Sequence, residues 1–167
     1  MVSRSRQALI EELVRYNRLL EVGIGNRPGV ARGLAERGHD VVAIDVSVGE
    51  RTRAAASGSD EPTGSGSLRA VEGDVLALSE RADGEAASAN WSTAAEFDAV
   101  YACNLPAELQ RPTVALAERL DVACLFTTLG FEEPTVPVRR RSLPGTTVYV
   151  AREGSTAHDS AGTDPSR

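Results

Sequence analysis

Leu19-Leu20-Glu21-Val22-Gly23-Ile24-Gly25-Asn26-Arg27-Pro28-Gly29, followed by Val41-Val42-Ala43-Ile44-Asp45, is the stretch that decides the fold. An apolar run enters a glycine turn, a helix leaves it, and a second apolar run ends on a carboxylate. The pattern predicts a buried strand over 19–22 and then a helix with Pro28 in its first turn. Val30 and Leu34 share that helix's inner face, Gly38 supplies a left-handed stop, and a second strand covers 41–45. Such a βαβ unit has parallel strands and a right-handed crossover. Gly25 and Asp45 lie 20 residues apart, about the spacing at which dinucleotide-type folds set an acid on a ribose hydroxyl.

Upstream, the spacing of Leu9, Ile10, Leu13 and Val14 predicts an amphipathic helix over 4–18. Downstream, a short helix is expected over 48–56, a third strand over 68–71 closed by Gly73-Asp74, and a fourth strand over 97–102. Pro106 and Pro112 each open a helical segment, the second running to about Leu120. Residues 122–128 form a continuous apolar run suited to a central parallel strand. Residues 135–140 and 146–151, joined by Leu143-Pro144-Gly145, read as an antiparallel hairpin. The sum is an α/β fold: a doubly wound, mostly parallel open sheet of Rossmann-like type with a C-terminal antiparallel hairpin. One domain is expected over 1–152, with flexible insertions at 57–67 and 80–95 and a disordered polar tail over 153–167.

The 167 residues are 41% hydrophobic and 25% charged, as in soluble globular proteins. No apolar run approaches the roughly 18 residues that span a bilayer, so a cytoplasmic protein with no membrane contact is expected. All 18 basic residues are Arg, against 24 acids, for a net charge of −6. Halophiles use such acidic, Lys-poor surfaces, and a GC-rich genome also writes Arg for Lys. The acidic balance argues against broad nucleic-acid binding, which needs a basic face. Arg139-Arg140-Arg141 is the only basic run and reads as a solvated hairpin edge. Cys103 and Cys124 form no CxxC, and with two His in the chain no metal site is indicated. They are expected to be buried, reduced thiols.

In an open α/β sheet, ligands bind outside the carboxyl ends of the strands, where strand order reverses. Gly23 and Gly25 permit a sharp turn and close approach of a ligand to backbone. The helix starting near Pro28 aims free N–H groups at the same place. Asp45 can accept ribose hydroxyls, Asp74 stands where an acid often meets an adenine amino group, and Asn104 lies where a reacting group would sit. A helix cap would also use Asp45, and a turn would also use Asp74. Together, at strand ends and at this spacing, these residues favour a nucleoside pocket. The GxGxxG fingerprint breaks at Pro28, which disfavours a nicotinamide dinucleotide. Tyr101, inside an apolar strand, is explained by packing.

Glu21-Val22-Gly23-Ile24-Gly25 resembles the first motif of S-adenosylmethionine-dependent methyltransferases, an acidic residue followed by GxG. The resemblance implies S-adenosylmethionine as cofactor, its methionine end on Glu21, Gly23, Gly25 and Asn26, its ribose on Asp45 and its adenine beside Asp74. Cys103-Asn104-Leu105-Pro106 is similar to the N/D-P-P-Y motif of amino-group methyltransferases, which implies a catalytic role for Asn104. Arg27 stands at the third glycine of the loop, Leu105 replaces the first proline of the second motif, and no aromatic follows Pro106. Together with Ala35-Glu36-Arg37-Gly38 and Leu105-Pro106-Ala107-Glu108-Leu109-Gln110-Arg111-Pro112, the loop also resembles a family of short archaeal Rossmann-like proteins, methyltransferase-like in fold and without an assigned activity. The implied ligand is an adenosyl-type small molecule. The implied function is a small methyltransferase or, alternatively, a non-catalytic nucleotide-sensing or scaffolding subunit.

Overall fold

Leu19 and Leu20 are both fully buried, yet they face opposite ways, because successive side chains in a strand point to opposite faces. A strand apolar on both faces must be covered on both, and that requirement builds three layers. The computed structural model describes residues 3–57, 66–80 and 97–154. The chain runs α1 (Arg4–Leu13), β1 (Arg18–Val22), α2 (Gly29–Glu36), β2 (Asp40–Asp45), α3 (Glu50–Ser57), β3 (Ser67–Glu72), α4 (Val75–Glu80), β4 (Ala99–Ala102), α5 (Ala107–Leu120), β5 (Ala123–Phe126), β6 (Arg139–Leu143) and β7 (Thr146–Arg152).

The strands form one sheet in the order β3-β2-β1-β4-β5-β7-β6. β1 pairs in parallel with both β2 and β4, β2 with β3, and β4 with β5. β7 is antiparallel to β5 and to β6. On one face, α1 and α2 bring Leu9, Ile10, Leu13, Val30 and Leu34 against Leu19, Val41 and Leu125. On the other, α4 and α5 bring Val75, Leu78, Leu116 and Ala117 against Leu20, Val22, Val100 and Phe126. The architecture is therefore the doubly wound, mostly parallel sheet with a terminal antiparallel hairpin that the sequence predicts. Strand order reverses between β1 and β4, and the crevice above that point is where the fold presents a ligand site.

Several local expectations are corrected. The first helix stops at Leu13, because the chain must straighten to enter β1; Asp98 Oδ2 accepts the N–H groups of Asn17 and Arg18, both at 3.0 Å, and fixes that entry. Pro28 is the N-cap of α2 rather than part of its first turn. Helix α4 was not expected. Asp74 opens it by accepting the Leu76 N–H at 2.9 Å, the usual role of an acid before a helix. Pro112 does not open a second helix: α5 starts after Pro106 and passes through Pro112, which leaves only the exposed Glu108 carbonyl without its helical donor. Pairing in the hairpin begins at Arg139 rather than 135, since Pro134 and Pro137 have no N–H to donate. The expected insertions at 57–67 and 80–95 and the tail over 153–167 lie, except at their ends, outside the described residues.

The basic run behaves as an edge. Arg139, Arg140 and Arg141 on β6 pair with Glu153, Glu133 and Glu12 respectively. No described helix is long and apolar enough to cross a membrane. Cys103 and Cys124 are both free thiols, Cys124 fully buried and Cys103 partly so.

Candidate functional site

The glycine turn after β1 is clamped by hydrogen bonds from every side. Gly23 N–H donates to the Ile44 carbonyl at 2.8 Å, which continues the β1–β2 ladder into the turn. Gly25 N–H donates to Asp45 Oδ2 at 2.7 Å. The Gly25 carbonyl accepts from Gly49 N–H at 3.0 Å and from the Thr52 hydroxyl at 2.8 Å. Asn26 Oδ1 accepts the Arg51 N–H at 2.8 Å, satisfying a donor at the start of α3 from a loop 25 residues away. Gly23 and Gly25 both have positive φ, +79° and +52°, and a Cβ on Gly23 would meet nothing within 4 Å. Backbone is thus laid open at that point, held rigidly, with no side chain in the way.

Above this turn lies a cleft of about 360 Å³, a volume in the range of small-molecule sites. Gly23, Gly25, Asn26, Asp45, Asp74 and Asn104 all line it, together with Arg27. Six of the seven residues singled out in the sequence therefore meet at one crevice. Asp45 sits at the end of β2, its Oδ1 accepting the Ser47 N–H at 3.1 Å. A carboxylate has about four acceptor positions, so two remain beyond the bonds to Gly25 and Ser47. Asp74 uses Oδ1 as the α4 cap.

Asn104 follows β4 in the left-handed region, φ +55°, which Asn tolerates better than most residues. Its N–H donates to the Thr127 hydroxyl at 2.9 Å. With the amide oriented to suit its neighbours, Nδ2 donates to the Thr128 carbonyl at 3.2 Å and Oδ1 accepts from Arg27 Nη1 at 3.0 Å. Each end of the amide keeps one further hydrogen-bonding position.

Glu21 is the seventh residue, and it does not line the cleft. It is 1% exposed and lies under the turn, where Tyr101 donates to its Oε1 at 2.6 Å. Its carboxyl is pushed up to about 8, chiefly by burial, against the lowering effect of the Tyr101 bond and with a smaller raising effect from the nearby Asp45 charge. At neutral pH Glu21 is therefore mostly a neutral acid. The Tyr101 hydroxyl and the Cys103 thiol are also held well above their ordinary values, chiefly by burial.

Tyr101 and Arg27 are the two residues of this region that sequence reading did not assign. Tyr101 had one available signal, since a buried phenol needs a partner and Glu21 in a neighbouring apolar strand needs one too. Arg27 was read as the loss of a glycine, whereas in the fold it holds Asn104.

The strand order and the crevice define a Rossmann-like, methyltransferase-like fold, and solved structures share it. The chain superposes on a variant of MtNAS with a TM-score of 0.59 at 17% identity, covering 90% of this chain and 60% of that one. It superposes on the magnesium protoporphyrin IX methyltransferase of Synechocystis PCC 6803 with bound SAM at 0.56 and 11%, covering 90% and 78%. For an RNA methyltransferase from Salinibacter ruber in complex with S-adenosyl-L-homocysteine the values are 0.55 and 16%, covering 98% and 99%. A model of the uncharacterised protein family UPF0146 matches residues 5–60. UPF0146 proteins of Halobacterium salinarum strains R1 and NRC-1 are each 40% identical over 142 residues, covering 84% of this chain and 92% of the relative. The chain belongs to the UPF0146 family.

Proposed function

We propose that this protein binds S-adenosylmethionine or a related adenosyl ligand in the cleft above the glycine turn and acts in the cytoplasm as a small methyltransferase. The convergence of open backbone at Gly23 with Asp45, Asp74 and Asn104 around one cleft carries the reading. The two remaining acceptor positions of Asp45 suit the paired hydroxyls of a ribose. Asp74 offers its second carboxylate oxygen to an exocyclic amine. The solved structures with bound SAM or S-adenosyl-L-homocysteine support the same ligand class.

Bound S-adenosylmethionine supplies a methyl group already activated by a sulfonium. What remains for the protein is alignment. Asn104, held by Arg27 and the Thr128 carbonyl, would use the remaining acceptor position of Oδ1 to orient an acceptor amine. Glu21 and Tyr101 support the turn from beneath and do not touch the ligand.

One observation favours the second reading, a nucleotide-sensing or scaffolding subunit without catalysis. Leu105 and Ala107 stand where the N/D-P-P-Y motif has proline and an aromatic residue, so that motif is present only in part. Calorimetric titration in high-salt buffer with S-adenosylmethionine, S-adenosylhomocysteine and NAD tests the shared part. Micromolar binding of the two adenosyl-sulfur ligands and none of NAD is expected. Absence of binding by all three overturns the proposal.

A further inference from the structure

A second cavity, about 970 Å³, opens beside the cleft and shares Asn26, Arg27, Cys103 and Asn104 with it. Its lining carries four arginines, Arg6, Arg27, Arg32 and Arg51, and one carboxylate, Glu36. Glu36 is taken by Arg32 at 3.5 Å. Arg6, Arg27 and Arg51 make no ion pair among the described residues, whereas eight other arginines do. Among the described residues, three guanidinium groups therefore line a single concavity with no ion-pair partner.

Each comes to the cavity from a different segment. Arg6 reaches from α1 over the start of α2, where a Cβ on Gly29 would lie 2.8 Å from its Cζ. The bare Gly29 backbone leaves room for that guanidinium. Arg27 is held through Asn104, and the Arg51 backbone is tied to Asn26. The hydroxyl-bearing residues Ser3, Ser5, Thr127 and Thr146 complete the rim. The carboxyl beneath, Glu21, is kept largely protonated by burial and supplies little opposing charge.

We infer that this cavity receives the oxyanion group, phosphate or carboxylate, of a small acceptor substrate whose reacting end lies at Asn104. The inference rests on the adenosyl reading of the neighbouring cleft. Guanidinium groups bind both oxyanions through paired N–H donors, and the shared wall places an occupant of one cavity next to an occupant of the other. The net charge of the chain speaks for a small molecule rather than a nucleic acid.

Inorganic phosphate and citrate are titrated calorimetrically, at fixed ionic strength, into the full chain and into Arg6→Gln, Arg51→Gln and Arg139→Gln, with S-adenosylhomocysteine titrated into each. At least one anion is expected to bind, with affinity reduced tenfold or more by Arg6→Gln and by Arg51→Gln and unchanged by Arg139→Gln. S-adenosylhomocysteine affinity is expected to stay within twofold throughout. The stronger anion tells a phosphorylated acceptor from a carboxylated one. Failure of both anions to bind, or an equal loss in Arg139→Gln, overturns the anion site while leaving adenosyl binding intact. Anion binding with the expected variant pattern but no S-adenosylhomocysteine binding overturns the adenosyl reading and leaves the anion site standing.

Discussion

Glu21 and Tyr101 are direct partners in the β1–β4 register, and the phenol donates to the carboxyl across 2.6 Å of buried space. The pair sits at the point where strand order reverses, immediately beneath the glycine turn. A neutral acid and a phenol can share a hydrogen bond in an apolar layer; an ionised carboxylate there is costly.

Stability should therefore fall with pH. Glu21 has an ordinary value of 4.5 unfolded and about 8 in the fold, so between these the folded state binds the extra proton. The contribution is fully present below 4.5, declines as pH rises through that window and is gone above about 8; it is worth a few kcal/mol. Glu21→Gln keeps the acceptor for Tyr101 and removes the titration. Urea unfolding at pH 5, 7 and 9 should give a much flatter profile for the variant, with a clear gain over wild type at pH 9. Equal slopes would show that Glu21 does not carry the proton.

Asp45 and Asn104 should separate binding from transfer. Asp45→Ala removes a charged acceptor and releases the Gly25 N–H, so S-adenosylhomocysteine affinity should drop by about 10- to 100-fold, the worth of a charge-assisted hydrogen bond. Asn104→Ala should leave that affinity within a few-fold and abolish transfer of labelled methyl in a screen of amine-bearing small acceptors. Unchanged affinity in Asp45→Ala would remove Asp45 from the ligand.

Three adjacent arginines should differ in what they contribute. Arg139 is 68% exposed and pairs with an exposed Glu153; Arg139→Ala should cost well under about 1 kcal/mol. Arg140 pairs with Glu133 and also lies 5.6 Å over the Tyr149 ring, so Arg140→Ala should cost about 1 kcal/mol. Arg141 is only 31% exposed and meets Glu12, itself 9% exposed, tying β6 to α1. Its loss leaves Glu12 with Arg15 alone, at 3.3 Å, and should cost about 2 kcal/mol. Chemical denaturation of the three variants checks the ranking.

Both cysteines should resist alkylation in the folded protein. Burial raises the Cys124 thiol to about 12 and the Cys103 thiol well above its ordinary value, and the thiolate is the reactive form. Iodoacetamide at pH 8 should add nothing to the native chain and two adducts to the unfolded one, as read by intact mass.

What could be read in advance was what local chemistry dictates. Paired glycines between two apolar runs, and an acid closing the second run, sufficed for β1, the turn, α2 and β2; Asp74 and Asn104 were legible as the residues just past the third and fourth strands. Helix α4 escaped because six residues display less than two turns of periodicity. Pro112 misleads because proline is most at home at a helix start, whereas here it lies inside α5 and the residue whose carbonyl it orphans, Glu108, is exposed. The Glu21–Tyr101 bond depends on register between strands 80 residues apart, which no local pattern encodes. Arg6, Arg27 and Arg51 come together only through the packing of α1, the turn and the start of α3.

Strand β7, made after β6, lies inside it, between β6 and β5. During synthesis, β6 emerges with no partner waiting, and β5 shows a bare, apolar edge until Thr146–Arg152 has left the ribosome. An unpaired edge of that kind templates association with other chains. Nascent chains stalled between β5 and β7 should thus be the species most in need of a chaperone.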